Sequence, residues 1–123
     1  MPIVPKILNW EDCEWRPGSR EKIRGKCFQG ENMTLQVGEI CTGHVPGPHS
    51  HPYEQIVYIM DGECDFYVDG VPYPLSKGCL MSIPPNVEHY IVAKGDVPVI
   101  NLDIFTPKRP DRIESVPNKE FGK

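Results

Sequence analysis

The sequence lacks the patterns that define several large classes of protein. No stretch approaches the ~20 consecutive apolar residues that a membrane-spanning helix needs. Lysine and arginine are scattered and the net charge is −4, so neither nucleic acid nor an anionic membrane is an expected partner. The first residues have neither the basic start nor the apolar run of a signal peptide. We therefore expect a soluble, cytoplasmic protein.

Paired cysteines are also missing. The chain has five cysteines, an odd number, at wide spacings and without a CxxC pair. Neither a disulfide framework nor a zinc site built from cysteines is expected from this arrangement. We expect free thiols that act mostly as small apolar side chains.

Helical periodicity is absent as well, and strand periodicity takes its place. Fourteen prolines and eleven glycines divide the chain into short segments in which alternation of period two recurs. Asp61-Gly62 and Asp69-Gly70 are dipeptides typical of tight hairpin turns. About eight short strands between residues 20 and 105 predict an all-β sandwich or barrel.

The two ends of the chain differ from this central region. Residues 1–19 are mixed in composition and predict an N-terminal arm, with room for a short helical turn at residues 9–14. Residues 20–107 are predicted to form the β domain. Residues 108–123 are charged and rich in proline, which favours an exposed C-terminal tail.

One predicted strand carries candidate metal ligands. His49, His51 and Gln55 share one face, because successive side chains of a strand point to opposite sides. Val57 and Ile59 continue that face in apolar form, so it is predicted to be the interior. Two imidazoles at this spacing can contact one divalent ion, and neutral nitrogen ligands suit zinc, nickel, iron or manganese.

His89 is the fourth candidate ligand, since it starts a later predicted strand and shares its inward face with Ile91 and Ala93. A single interior histidine is more often a core residue, but three of the four histidines fall on interior faces beside turns. Glu54 is an alternative to Gln55 as third ligand, although this requires a bulge that reverses the strand alternation. His44 lies in a loop rich in glycine and proline, where we expect it to be solvated.

The last predicted strand adds chemistry to this site. Asp103 and Phe105 share the face opposite Leu102, so Asp103 is a candidate general acid and base beside the ion. Arg109 follows the strand and can bind a substrate carboxylate through two parallel hydrogen bonds. The simpler interpretations are a surface aspartate for Asp103 and a solvated charge for Arg109.

These residues resemble the two sequence motifs of the cupin superfamily. The first motif is His49-x-His51-x3-Gln55 with Gly62 at its end, and the second is Gly78-x5-Pro84-x-Asn86-x2-His89. The resemblance implies a single-domain double-stranded β-helix, which is a jelly-roll barrel. Gln55 stands where most cupins have glutamate. A neutral amide leaves the ion its full charge, which favours Lewis-acid work of an isomerase, lyase or hydratase over an oxygenase.

With Asp103-x-Phe105-x3-Arg109, Trp10-Glu11-Asp12 and Gly18-Ser19-Arg20, the chain is similar to the KdgF-type cupins of pectin and alginate breakdown. This resemblance implies an enzyme that converts a cyclic 4,5-unsaturated uronate to its open-chain keto form. Asp103 would move the proton, Arg109 would hold the carboxylate and Phe105 would pack on the sugar. The alternatives are another metal-dependent cupin enzyme, such as a lyase or dioxygenase, and a non-catalytic cupin that binds a small carboxylate. A homodimer is also expected for this barrel type, since its edge strands need cover.

Overall fold

A computed structural model describes residues 3–117 of the chain. Within that range it consists of nine β-strands and one short 3-10 helix. In chain order these are the 3-10 helix Trp10–Asp12, β1 (Arg16–Pro17), β2 (Ile23–Gln29), β3 (Thr34–Ile40), β4 (Glu54–Asp61), β5 (Glu63–Val68), β6 (Val71–Ser76), β7 (Leu80–Ile83), β8 (His89–Lys94) and β9 (Val99–Thr106). The all-β prediction is confirmed, and a short helical turn lies where the N-terminal arm was expected to hold one.

The strands form two antiparallel sheets. The larger has the order β1-β2-β3-β9-β4-β7 and the smaller the order β6-β5-β8. The chain passes from the larger sheet to the smaller at Gly62, between β4 and β5. The apolar faces of both sheets contribute to one core, as in a jelly-roll barrel. The described residues contain no helix of the length and hydrophobicity that a membrane crossing needs.

The interior changes from apolar to polar along the strands, and this change places the site. Val57 and Ile59 are fully buried, as the alternation in β4 predicted, and Gln55 precedes them on the same face. In β8, His89 at the strand start precedes Ile91 in the same way. The core cluster consists of Ile40, Val57, Ile59, Cys64, Phe66, Ile83, Ala93 and Val99. The polar starts of β4 and β8 therefore lie beside this cluster rather than within it.

Gly62 is required where the chain changes sheets. Its φ is +84°, and a Cβ added there would lie 2.7 Å from the Pro98 carbonyl oxygen and 2.9 Å from the Val99 Cα. We expect Gly62→Ala to lower the free energy of unfolding by more than the ~1–2 kcal/mol of a left-handed alanine alone, because backbone must also move. Gly70→Ala is the matched control, since Gly70 has φ +78° and open space around its Cβ. Denaturant unfolding measures both, and equal losses would contradict the steric argument.

The start of the predicted tail is not exposed. The Ser115 amide donates to the Cys27 carbonyl (2.9 Å), and the Ser115 hydroxyl accepts from the Cys27 amide (2.8 Å). Arg109 and Ser115 are both buried. The short strand β1 pairs with β2 only at Gly25 and Arg24. The rest of this edge of β2 needs another partner, and the chain around Ser115 supplies one at Cys27. The expectation of an exposed tail is thus wrong for Arg109 and Ser115, while residues 118–123 lie outside the described residues.

Candidate metal centre and adjoining cavity

Three histidines meet at the polar end of the barrel. One ring nitrogen from each of His49, His51 and His89 lies within 4.8 Å of the others. The His49 amide donates to the His89 carbonyl (3.2 Å) and the His89 amide to the His49 carbonyl (2.9 Å). This backbone bridge joins the segment before β4 to the start of β8. It therefore brings together imidazoles that are 40 residues apart in the chain (His49 to His89).

Backbone carbonyls orient all three imidazoles. In each ring Nδ1 lies within hydrogen-bond distance of a carbonyl two residues away: His49 to Gly47 (2.7 Å), His51 to Tyr53 (3.0 Å) and His89 to Val87 (2.8 Å). Since a carbonyl only accepts, Nδ1 carries the proton of the neutral ring and the Nε2 lone pair is free. Burial lowers the pKa of His89 to about 4 and also lowers the pKa of His49. Both rings are therefore neutral at neutral pH, as metal ligands must be.

Gln55 extends this cluster of acceptors. Its Nε2 donates to the Asp103 carboxylate (2.9 Å), which turns its Oε1 toward His51 Nε2 at 3.0 Å. Two acceptors then face each other, and His89 Nε2 is buried without a hydrogen-bond partner. A cation satisfies all of these lone pairs together, so the donor set fits a divalent metal ion. Glu54 is exposed, on the other side of β4.

Asp103 and Phe105 reach the same place from β9. The register of β4 with β9 pairs Val57 with Asp103 and Gln55 with Phe105. The Phe105 ring meets the His51 ring edge-on, with 5.4 Å between centroids. Burial raises the pKa of Asp103 to about 6, against hydrogen bonds from Gln55 and Asn101 that lower it. Asp103 is therefore a carboxyl group that can hold or release a proton near neutral pH.

Arg109 is buried beside this aromatic wall. Its guanidinium lies over the Phe105 ring (4.6 Å to the centroid) and the Tyr53 ring (5.1 Å). Nε and Nη2 donate to the Asp111 carboxylate at 3.2 and 2.9 Å. Nη1 is buried and has no hydrogen-bond partner. Arg109 thus keeps a donor for a ligand, and the interpretation of this residue as a solvated charge is wrong.

A buried polar network holds Arg109, and no local sequence pattern predicted it. Thr34 Oγ1 donates to Gln29 Oε1 (2.5 Å) and accepts from the Arg109 amide (2.9 Å). Gln29 Nε2 donates to the carbonyls of Arg109 (2.9 Å) and Arg112 (3.0 Å). Thr34 and Gln29 are both buried. They fix the backbone of the segment that carries both arginines.

Thr34→Val is expected to lower the free energy of unfolding by about 1–3 kcal/mol. The change keeps the shape of the side chain but leaves the Arg109 amide and Gln29 Oε1 without their partner in a buried place. Thr42→Val is the matched control, because the Thr42 hydroxyl makes one exposed hydrogen bond, to the Gly95 carbonyl. Its expected loss is below about 1 kcal/mol. Denaturant unfolding measures both variants, and a Thr34→Val loss as small as that of the control would contradict the network.

All the site residues predicted from the sequence open onto one cavity of about 470 Å³. They are His49, His51, Gln55, His89, Asp103, Phe105 and Arg109. The volume lies within the range of about 300–1,000 Å³ that small-molecule sites occupy. Sequence reasoning missed other polar residues of the wall, which include Arg20, Arg24, Gln36, Asn101 and Arg112. The contribution of Arg24, Gln36 and Asn101 depends on the pairing of β2, β3 and β9, and that of Arg20 and Arg112 on how the segments outside these strands fold back, which local periodicity does not predict.

His44 does not belong to the cluster, and the expectation that it is solvated is wrong. It is buried, and its Nε2 accepts a hydrogen bond from the Ala93 amide at 3.0 Å. Strand β8 is an edge of the smaller sheet, so this amide has no strand partner on its outer side. The imidazole of His44 replaces that partner.

A jelly-roll barrel with three clustered histidines at one end is the architecture of a protein that binds a metal ion or a small molecule inside its barrel. The Cupin_2 family, described as Cupin domain, matches residues 31–105, and the chain belongs to this family. Protein SchB of Streptomyces halstedii is 40% identical over 81 residues, covering 63% of this chain and 58% of SchB. Dimethylsulfoniopropionate lyase DddW of Ruegeria pomeroyi is 31% identical over 74 residues, covering 60% and 49%. The chain thus spans about half the length of these relatives.

Solved structures agree with this assignment. KdgF from Halomonas sp. superposes with a TM-score of 0.81 at 22% identity, covering 89% of this chain and 100% of that one. The sequence-based resemblance to a small KdgF-like cupin is therefore confirmed at the level of fold. At least one of the relatives is an enzyme by name, the lyase DddW.

Proposed function

We propose that the protein is a metal-dependent cupin enzyme that converts a cyclic 4,5-unsaturated uronate into its open-chain keto form. The observation that carries the proposal is the convergence of Asp103, Arg109 and the histidine cluster on one cavity. A proton-transfer group, a carboxylate-binding group and a metal-binding group are the three elements that this reaction needs. The KdgF-like fold and the neutral amide of Gln55 support the same choice.

The metal would be held by His49, His51 and His89 through Nε2 and by Gln55 through Oε1. Three imidazoles and an amide carry no charge, so zinc, nickel, iron and manganese all remain candidates. When bound, such an ion supplies Lewis acidity toward a substrate oxygen. Gln55 has a second duty, since its Nε2 holds the Asp103 carboxylate in place.

Arg109 and Phe105 would bind the sugar acid. Nη1 of Arg109 is a buried donor without a partner, and a substrate carboxylate supplies the missing acceptor. Asp111 holds the other edge of the guanidinium, which keeps Nη1 directed away from Asp111. The Phe105 ring lies under the guanidinium and beside His51, so it offers an apolar surface for one face of the sugar.

Asp103 would transfer the proton. In the reaction the bond between the ring oxygen and the anomeric carbon breaks, the anomeric hydroxyl loses a proton and the enol carbon gains one. A single carboxyl that takes and then returns a proton balances these steps. The raised pKa of Asp103, about 6, suits this role because both protonation states are accessible near neutral pH.

The test is a direct assay of the metal-loaded protein with a 4,5-unsaturated monouronate. Ring opening removes the conjugated enol ether, so its ultraviolet absorbance should decay faster with protein than in buffer containing the same metal. Heat-denatured protein with the same metal content is the control for catalysis by the free ion. Decay no faster than this control would count against the proposal.

A metal-dependent lyase is the second candidate. It is favoured by the similarity to the lyase DddW, which is 31% identical over the matched residues. Asp103 would then remove a proton beside a carboxylate held by Arg109. Incubation with dimethylsulfoniopropionate, followed by detection of released dimethyl sulfide, tests this alternative independently of the uronate assay.

A homodimer is the assembly that we propose, with the outer face of the larger sheet as its interface. Leu35, Ile56, Leu102 and Ile104 lie on this face and are partly exposed, and Leu80 beside them is 69% exposed. A second copy related by a two-fold axis would cover the same residues on both chains. Light scattering should give twice the mass of one chain for the native protein and a lower mass for Leu80→Lys. A native mass of one chain at micromolar concentration would contradict the dimer.

The cytoplasmic location stays a prediction.

A further inference from the structure

We propose that the cavity contains a second anion-binding subsite at Arg20, so that a ligand with two oxyanionic groups binds more tightly than a matched ligand with one. The chemical class is a small organic acid with a second carboxylate or phosphate-like group. The inference rests on the proposed role of Arg109 as the holder of one carboxylate. It concerns binding rather than turnover, so its test is separate from the uronate assay.

The first observation is the place that the fold makes for Arg20. This residue lies in the turn between β1 and β2, and its guanidinium rests on Gly47. A Cβ added at Gly47 would lie only 1.8 Å from Arg20 Nη1, so the guanidinium occupies the space that any other residue would fill. The Gly47 carbonyl is also the partner of His49 Nδ1. Arg20 is therefore fixed next to the segment that orients His49.

The second observation is the balance of charge around the cavity. Among the four arginines of its wall, Arg109 is paired with Asp111 and Arg24 with Glu39 (2.7 Å). Arg112 forms no ion pair among the described residues, but it lies three residues after Arg109, in the segment that already supplies the first carboxylate site. Within residues 3–117, Arg20 forms no ion pair, and its Nε is buried without a hydrogen-bond partner. A buried donor of a charged group without a partner costs free energy, and a ligand anion removes that cost.

The third observation is the separation of the two guanidinium groups within one space. Arg109 lies over Phe105, whose ring meets His51, whereas Arg20 lies on Gly47 beside His49. They therefore lie at different parts of the wall of one cavity of about 470 Å³. A planar guanidinium matches carboxylate and phosphate geometry, so one ligand with an anionic group at each end can pair with both.

The experiment is a calorimetric titration of the metal-loaded protein with three matched probes. Butyrate has one carboxylate, glutarate adds a second at the far end, and 4-phosphonobutyrate carries a phosphonate there instead. We expect at least one of the two dianions to bind about tenfold or more tightly than butyrate, the gain expected of charge-assisted hydrogen bonds. A gain with glutarate identifies a carboxylate site, and a gain with the phosphonate alone identifies a phosphate site.

Variants then assign the gain to Arg20. Arg20→Gln should bind the dianions no more tightly than butyrate while keeping its affinity for butyrate, which also reports that the protein is folded. Gly47→Ala should lose the same preference although Arg20 is present, because the added methyl group displaces the guanidinium. Arg16→Gln is the matched control, since Arg16 is exposed and does not line the cavity. It should keep the preference.

Three results would overturn the proposal. The first is that the native protein binds butyrate and both dianions equally, or binds none of them. The second is that Arg20→Gln keeps the preference for a dianion. A parallel loss of butyrate affinity in Arg20→Gln would instead assign Arg20 to the support of the fold. None of these results bears on uronate turnover.

Discussion

Replacing His89 with alanine is expected to abolish the retention of a divalent metal ion by the protein. His89 supplies one of the three imidazoles of the cluster, and its Nε2 is the buried atom without another partner. Loss of a direct ligand should weaken binding by more than the 10–100-fold that is typical of losing an outer hydrogen-bond partner. Metal content per chain after dialysis, measured by elemental analysis, gives the result.

His44→Ala is the matched control for this experiment. His44 is also a buried histidine with one backbone hydrogen bond, but it lies outside the cluster. Its variant should keep the metal, provided that circular dichroism shows both variants to be folded. Equal metal content in the native protein and in folded His89→Ala would contradict the proposed centre, and with it the uronate reaction.

Asp103→Asn is expected to lower turnover of the unsaturated uronate by about 10²–10⁴-fold, the usual contribution of a general acid or base. The amide has nearly the same shape and still accepts a hydrogen bond from Gln55 Nε2. It has no proton to exchange, so kcat should fall while KM and metal content change little. Steady-state kinetics with matched metal loading separates these quantities.

Asp65→Asn serves as the control for Asp103→Asn. Asp65 is an acidic residue of β5 that is paired with Lys94 and does not line the cavity. Its replacement should leave kcat unchanged. If Asp103→Asn turned over substrate within about twofold of the native rate, the proton transfer would have to be assigned to another group.

Local sequence pattern predicted the orientation of the cluster but could not predict its surroundings. The alternation of side chains in a strand predicted that His49, His51 and Gln55 lie on one side. They do meet at one site, but β4 begins only at Glu54, so the predicted strand is too long: His49 lies in an isolated bridge to His89 and His51 lies outside any strand. The same rule placed Asp103 and Phe105 on a common face of β9. These predictions needed no knowledge of which strands are neighbours.

The features that sequence reasoning missed all depend on contacts between distant parts of the chain. His44 is buried because an edge amide of β8 needs an acceptor, and Arg109 because residues near the C-terminus cover the edge of β2. The approach of Arg20 to Gly47 joins residues from two separate loops. Composition made the loop of His44 and the segment after β9 look solvated, since proline, glycine and charge are typical of exposed chain.

The glutamine at position 55 makes the neighbouring acid possible. Its planar amide presents a donor on one edge and an acceptor on the other, so one residue can serve a carboxylate and a cation together. A glutamate there would set two like charges about 3 Å apart, and the pair would share a single proton instead of acting separately. With a glutamate at this position, the barrel would therefore either lack an aspartate at position 103 or have one whose proton is shared with a metal ligand.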